Sequence, residues 1–240
     1  MPQGSNRLIL FTRYPEPGTT KTRMIPKLGD EGAAELQRQM TEHIVSRVTE
    51  FTGLHSTSVE VRFEGGNRDL MAAWLGIGFD YFPQGNGDIG IRMSRAFEDG
   101  FGSGYESVVI IGSDIPDITN DIVKTAFDEL RRYDLVLGPA ADGGYYLIAM
   151  QKTVFSRANP QLFNGIHWGT DGVLSQTLAA ADKLSFSYFL LDTLEDVDWP
   201  EDLSVWQQAS KTILEPRGAK RLSIIIPTLN EAKSIKETIT

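Results

Sequence analysis

At 240 residues the chain holds one large domain, or one domain with an appendage, and is long enough to bury a core without covalent staples. It contains no cysteine, which excludes disulfides, thiolate metal sites and a cysteine nucleophile and makes a reducing cytoplasm the expected compartment. A formal net charge of -9 argues against nucleic acid as a partner, because a polyanion needs clustered Lys and Arg, and no apolar run approaches the roughly 20 residues of a membrane helix.

Locally the charge balance reverses. Arg7, Arg13, Lys21, Arg23 and Lys27 face only Glu16 and Asp30 in the N-terminal stretch, so a small anionic ligand is expected there. Leu8 to Thr12 is a short apolar run that ends in a Pro/Gly-rich turn, the pattern of a strand buried on both faces. A helix follows: Leu36, Met40, Ile44, Val48 and Phe51 recur at steps of four and three on one face of the segment Asp30 to Phe51. Thr57 to Phe63 alternates as a strand, and Phe79 to Phe82 is a shorter one between Gly78 and Pro83. Asp88 to Phe101 and Ile122 to Leu130 carry helical apolar repeats. Val108 to Ile111 is an unbroken β-branched run, with Leu135 to Leu137 expected as its neighbour in the sheet and Tyr145 to Met150 as another strand. Phe186 to Leu191 adds a further strand. Strands alternating with helices give an α/β, doubly wound, mostly parallel sheet with helices on both faces, whose ligands sit at the carboxyl ends of the strands.

The chain is expected to divide into a main domain over 1–211, a polar linker over 212–221 that contains Pro216 and Gly218, and a new unit over 222–240. That last piece starts a strand at Leu222 to Ile226, turns at Pro227 to Asn230 and opens a helix capped by Asn230. A strand and part of a helix bury too little to fold alone, so the tail reads as the truncated start of a second domain.

Four turns carry candidate chemistry. PEPGTTKTRMIPKLG, Pro15 to Gly29, sits where a Rossmann-like fold holds phosphates. There Pro17 and Gly18 form the tight turn, Lys21 and Arg23 supply the charge for a diphosphate, and Lys27 adds to it. GSDIP, Gly112 to Pro116, places Asp114 after the strongest strand, either as an oxygen ligand for Mg2+ (or Mn2+) or as a turn residue before Pro116. In GPAADGGY, Asp142 either contacts sugar or acceptor hydroxyls or makes an ordinary Asp-Gly turn, and Gly143 and Gly144 permit close backbone approach. In LEDVDWPEDL, Asp196 or Asp198 would complete the metal site, while Glu201 and Asp202 fall in the first turn of a helix opening at Pro200. GDIGIRM adds Gly87 and Arg92, the latter either reaching phosphate or facing solvent, and Arg95 has the same two readings. His167 and Trp168 either stack on a ligand or pack. The three histidines lack the spacing of a zinc site, and neither a GxSxG elbow nor a GxxxxGKS loop is present.

Taken in order, PEPGTTKTRMIPKLG, QGNGDIGIRM, VVIIGSDIP, LGPAADGGYYLI, FNGIHWGT and DVDWPEDL resemble the GT-A-fold glycosyltransferase family associated with arsenosugar biosynthesis, over about residues 7 to 205. That family is similar to 2-phospho-lactate guanylyltransferase and the molybdenum-cofactor guanylyltransferases. The tail SIIIPTLNEAKSI resembles the opening of family 2 glycosyltransferases, which implies fusion to a second glycosyltransferase domain. The resemblance implies a metal-assisted transferase with Lys21 and Arg23 on a nucleotide-sugar diphosphate, Asp114 on the metal, and Asp142 as a candidate base toward a small-molecule or glycan acceptor. One departure is the single Asp114 where glycosyltransferases of this fold carry a DxD, which leans toward nucleotidyl transfer from a nucleoside triphosphate with release of pyrophosphate. A non-catalytic nucleotide-sugar-binding subunit is the third reading.

Overall fold

In a computed structural model the described residues are 5–158 and 160–213. The chain divides into two compact units, Met1–Ala209 and Ser210–Thr240, and most of the second lies outside the described residues, including the expected tail and all of the expected linker except Thr212 and Ile213, which are helical. The elements run β1 (Asn6–Arg13), α1 (Ile25–Leu54), β2 (Thr57–Glu64), α2 (Arg68–Leu75), β3 (Asp80–Pro83), α3 (Ile89–Gly102), β4 (Ser107–Gly112), α4 (Asn120–Glu129), β5 (Leu135–Pro139), β6 (Tyr145–Gln151), α5 (Lys152–Ala158), α6 (Val173–Lys183), β7 (Tyr188–Leu190) and α7 (Leu203–Ile213).

All seven strands form one sheet in the order β3-β2-β1-β4-β6-β5-β7. Every pairing is parallel except those of β6, which runs antiparallel to β4 and β5. The expectation that Leu135 to Leu137 lies beside β4 is therefore corrected: β6 fills that place, and β5 pairs on its far side. The physical reason is the tight turn through Asp142, Gly143 and Gly144, which folds β6 back on β5 as an antiparallel hairpin. Both strands are uniformly buried, so hydrophobicity alone could not order them.

Alternation along the central strands sends Ile9, Phe11, Val108 and Ile110 to one face, where α3, α5 and Phe163 cover them. Leu8, Leu10, Val109 and Ile111 face the other way onto Ile44, Val48 and Phe51 of α1 and Val123, Ala126 and Phe127 of α4. The periodic helix face that begins at Asp30 starts where it should, because Gly29 breaks α1 with φ of 72° and splits off a short first segment. Side chains cap the later helices: Asn67 accepts from the Leu70 N–H, Asp88 from Ile91 and Thr119 from Ile122.

From β1 the chain moves to β2 and β3 on one side and later to β4 on the other, so the sheet reverses direction between β1 and β4. A crevice opens at the carboxyl ends of strands at such a point, and there the candidate residues collect.

Candidate active site

Two loops and one turn meet above the β1/β4 crevice. The turn after β1 is held by the buried Thr20 hydroxyl, which donates to the Tyr14 carbonyl (3.0 Å), and it places Lys21 in the left-handed backbone region with φ of 49°. That conformation is uncommon for a residue with a side chain and tends to mark functional positions. The loop after β4 carries Asp114, whose backbone carbonyl accepts from the Val197 N–H at 3.0 Å. Val197 is fully buried against Met24, Leu36 and Met40, which anchors the third piece, the segment after β7. Asp202 then fixes that segment's end by accepting from the N–H groups of Asp198 and Trp199 at 3.0 and 2.7 Å, as its expected place in a first turn suggests.

These anchors bring Lys21, Asp114 and Asp198 together across the whole length of the domain. The Lys21 ammonium lies 2.7 Å from Asp114 Oδ1 and 2.8 Å from Asp198 Oδ1, and it donates to the Val197 carbonyl at 2.7 Å. Burial opposes the charge on Lys21, but the two carboxylates outweigh it and hold its pKa above the usual lysine value. Burial likewise opposes the charge on Asp198, and Lys21, with help from Arg23, wins and lowers its pKa. Arg23 stands at the mouth, 3.2 Å from Asp198 Oδ2 and stacked over Trp199 at 4.8 Å.

The donor set suits a hard divalent cation in part. Mg2+ is commonly held by one or two carboxylates with the remaining positions filled by water and substrate phosphate, and Asp114 and Asp198 supply such a pair from different loops. Asp196 does not complete a third: among the described residues no group of three Asp, Glu or His converges in metal-binding geometry. Asp196 instead lies by Asp142, since Ala140 pairs with Leu194 and the Ala141 N–H donates to the Leu194 carbonyl at 2.9 Å. Burial first, then Asp142 and the neighbouring acids, push the Asp196 carboxyl up to about 6.

Of the two readings of Asp142, the turn is the one observed. Its carboxylate accepts from the Gly144 N–H at 2.8 Å, and it also lines a cavity of about 230 Å³ with Asp114, Asp196 and Asp198. Gly143 turns tightly, with φ of 89°, and a Cβ there would fall 2.1 Å from the Asp171 carbonyl oxygen, so the glycine also admits a neighbouring loop. Gly144 does line the cavity.

On the other side of Asp114 lie two clefts. One, of about 360 Å³, is lined by Arg13, Lys21, Thr22, Arg23 and Gln37 with Asp114 and Asp198. The second, of about 460 Å³, takes in Arg13, Glu64, Gln84, Gly87, Arg92 and Trp168. Here Arg92 neither reaches out to solvent nor stands free: it contacts Glu64 (3.0 Å), the Gln84 side chain (3.2 Å) and the Gly87 carbonyl (2.9 Å). Arg13 pairs with the same Glu64 oxygen at 2.8 Å, and burial of Glu64 is outweighed by the two arginines, which lower its pKa. Arg95 donates to the carbonyls of Gln84 and Asn86 and so shapes the loop before α3. The Trp168 indole is packed so closely on Gly90 that a Cβ there would meet it at 2.3 Å, and it walls both this cleft and the acidic cavity. The exposed His167 lines neither.

The structure thins the expected basic patch. Arg7 is buried near the start of β1, bound to Glu60 at 2.7 Å, and Pro17, Gly18 and Lys27 are exposed and line none of the clefts that meet at Asp114. Sequence reasoning passed over Arg13, Glu64 and Gln84 as site residues. Their signal was position: each ends or directly follows a parallel strand.

A family model described as "Uncharacterized protein conserved in bacteria (DUF2064)" matches residues 47–170. The chain is 34% identical to a protein from Desulfovibrio desulfuricans provisionally assigned as a nucleotide-diphospho-sugar transferase, and the two structures superpose with a TM-score of 0.76 over 87% of this chain and 88% of that one. A phosphoenolpyruvate guanylyltransferase from Chloroflexus aggregans is 19% identical over 119 residues, 50% of this chain, which spans 59% of the length of that curated relative. CMP:2-keto-3-deoxy-manno-octonic acid synthetase, in a complex with CTP, shares the fold with a TM-score of 0.56 at 12% identity, covering 87% of this chain and 99% of that one. The fold is thus of the nucleotide-diphospho-sugar transferase type, GT-A-like.

Proposed function

The chain belongs to the bacterial family described as DUF2064, and from that premise and its strand-end geometry we propose a divalent-metal-assisted transferase that passes a sugar from a nucleotide-sugar to a hydroxyl of a small neutral acceptor. One observation carries this reading: charge is segregated about Asp114. The clefts on one side present Arg13, Lys21, Arg23 and Arg92 interleaved with Glu64, Asp88, Asp114 and Asp198, whereas the cavity on the other is lined by Asp114, Asp142, Asp196 and Asp198 and, among the described residues, by no Lys or Arg. The first arrangement suits phosphates, and the second suits hydroxyl donors and repels an anionic acceptor.

In this reading Arg23 and Arg13 bind the diphosphate, with Lys21 joining them, and Trp168 separates donor from acceptor. The acceptor hydroxyl oxygen forms a bond to the anomeric carbon as the bond from that carbon to the diphosphate oxygen breaks, its electron pair leaving on the diphosphate. The hydroxyl proton passes to a carboxylate of the cavity. Asp196, with its pKa near 6, is better matched to that task at neutral pH than Asp142, which is tied to the Gly144 N–H. A divalent ion on Asp114 and Asp198 would stabilise the negative charge that develops on the leaving diphosphate.

A second reading, nucleotidyl transfer, is favoured by the lone Asp114 and by the likeness to a guanylyltransferase. Phosphorus NMR of the chain incubated with Mg2+ and either nucleotide-sugars or nucleoside triphosphates separates the two. Nucleoside diphosphate accumulating from a nucleotide-sugar supports glycosyl transfer. Pyrophosphate accumulating from a triphosphate, with nucleotide-sugars untouched, contradicts it.

A further inference from the structure

The Lys21 ammonium donates to Asp198 Oδ1 at 2.8 Å and to the Val197 carbonyl at 2.7 Å, and it forms an ion pair with Asp114 Oδ1 at 2.7 Å. That Asp114 oxygen is buried and accepts no hydrogen bond among the described residues. The lysine side chain is only 5% exposed, yet the carboxylates it bridges are 48% and 33% exposed, so the cation is inside and the anions are open to the crevice. Among the described residues the loop after β4 and the segment after β7 share the backbone bond from Val197 to Asp114, an apolar cluster with Ile115, Ile118, Leu191 and Leu194, and the ion pairs of this ammonium.

We propose that Lys21 is a tethered, displaceable cation: with no ligand bound its ammonium occupies the position between Asp114 and Asp198 that a divalent ion would take, and the ion settles there only as Lys21 withdraws. The proposal rests on the metal placement of the reading above. An ion that holds its ligand oxygens at about 2.1 Å cannot share the same pair of oxygens with an ammonium held at hydrogen-bond distance, because the two positive charges would lie within a few ångströms of each other in a half-buried crevice. Lysine suits the part, since its charge sits on a flexible four-carbon stem with no fixed fork to hold it in register. The strained backbone at Lys21 roots that stem at the crevice wall whichever way the side chain swings. A diphosphate arriving between Arg13 and Arg23 offers the ammonium a new anionic partner, so nucleotide and metal raise each other's affinity through this one residue.

The test is a titration of the full chain with Mn2+ alone, free ion being followed by electron paramagnetic resonance, on the wild type, Lys21→Met and the double variant Lys21→Met with Asp114→Asn. Lys21→Met is expected to bind Mn2+ at least tenfold tighter than the wild type, and the double variant to lose that gain. Melting gives a second reading: in EDTA Lys21→Met melts below the wild type, and Mn2+ raises its melting temperature by more than it raises the wild type's. Should Lys21→Met fail to fold, Lys21→Gln carries the same expectation, since its amide still has a proton for the Val197 carbonyl. Mn2+ affinity no higher in the variant than in the wild type overturns the proposal, as does a gain that survives Asp114→Asn. A chain that turns over no nucleotide substrate sinks the transferase reading and leaves this titration readable. Conversely, an unchanged Mn2+ affinity leaves that reading in place with Lys21 as a fixed strut.

Discussion

The domain contains two buried charge assemblies built in opposite ways. Deep between β1, β2 and α3, Arg7 and Arg62 share Glu60, with Arg62 also 2.7 Å from Asp99 and Arg7 donating to the Tyr105 hydroxyl at 2.8 Å. These groups sit on strands in fixed register, Ile9 beside Glu60 and Phe11 beside Arg62, and both arginines and the glutamate are almost completely buried. At the strand ends Lys21, Asp114 and Asp198 come from three separate loops and the anions face the crevice. Planar guanidinium forks on strands fix one geometry, while a point charge on a flexible stem between loops can be exchanged for another cation. The first assembly is architecture and the second is the proposed site.

That contrast can be broken by experiment. The largest effect is expected from Glu60→Ala, which removes the carboxylate shared by two buried guanidinium groups, leaving Arg7 with Asp80 and Arg62 with Asp99, and should cost about 3 kcal/mol in urea unfolding. A loss below about 1 kcal/mol would mean that the strand assembly is no more structural than a surface pair. Asp114→Asn should behave in the opposite manner, lowering turnover by about 10²–10³-fold at a smaller cost in stability, because Lys21 keeps Asp198 and the Val197 carbonyl. Gly90→Ala is expected to cost about 1–3 kcal/mol by driving a methyl group into Trp168, and to raise the acceptor KM as the indole shifts.

The smallest effect concerns a buried polar group with no charged partner in contact. His43 donates from Nε2 to the Pro116 carbonyl at 2.8 Å, and burial lowers its pKa below the usual histidine value. Because the unfolded chain binds the proton more readily, His43 adds stability above its unfolded pKa of about 6.5, and that contribution fades as pH falls toward the lower folded value. Stability measured between pH 7 and pH 5 should therefore fall less steeply in His43→Gln than in the wild type.

The fold was legible where pattern dictates it. The β-branched run Val108 to Ile111 gave the core of β4, which extends by one residue at each end, and steps of three and four gave the main part of α1, with Gly29 marking its start. The order of β5 and β6 was not, since both are apolar throughout and only the short turn between them decides which strand meets β4. At the site, Asp114 and Arg23 could be singled out from local context. Local context also suggested that Lys21 grips phosphate, yet its partner Asp198 lies 177 residues away and no spacing rule reaches that far. Arg7 shows the converse limit: counted by sequence it belongs to a basic patch, but strand register carries it to the far end of β1, beside Glu60.

The segregation of charge about Asp114 is tested most directly by calorimetry of UDP and GDP, each with Mg2+, on the wild type, Arg23→Ala and Asp142→Asn. Removing an arginine from the cationic cleft should weaken nucleotide binding at least tenfold, in line with about 1.5–3 kcal/mol for a charged hydrogen bond, while Asp142→Asn leaves it within about twofold. Nucleotide affinity that survives Arg23→Ala and collapses in Asp142→Asn would place the nucleotide in the acidic cavity and contradict the assignment.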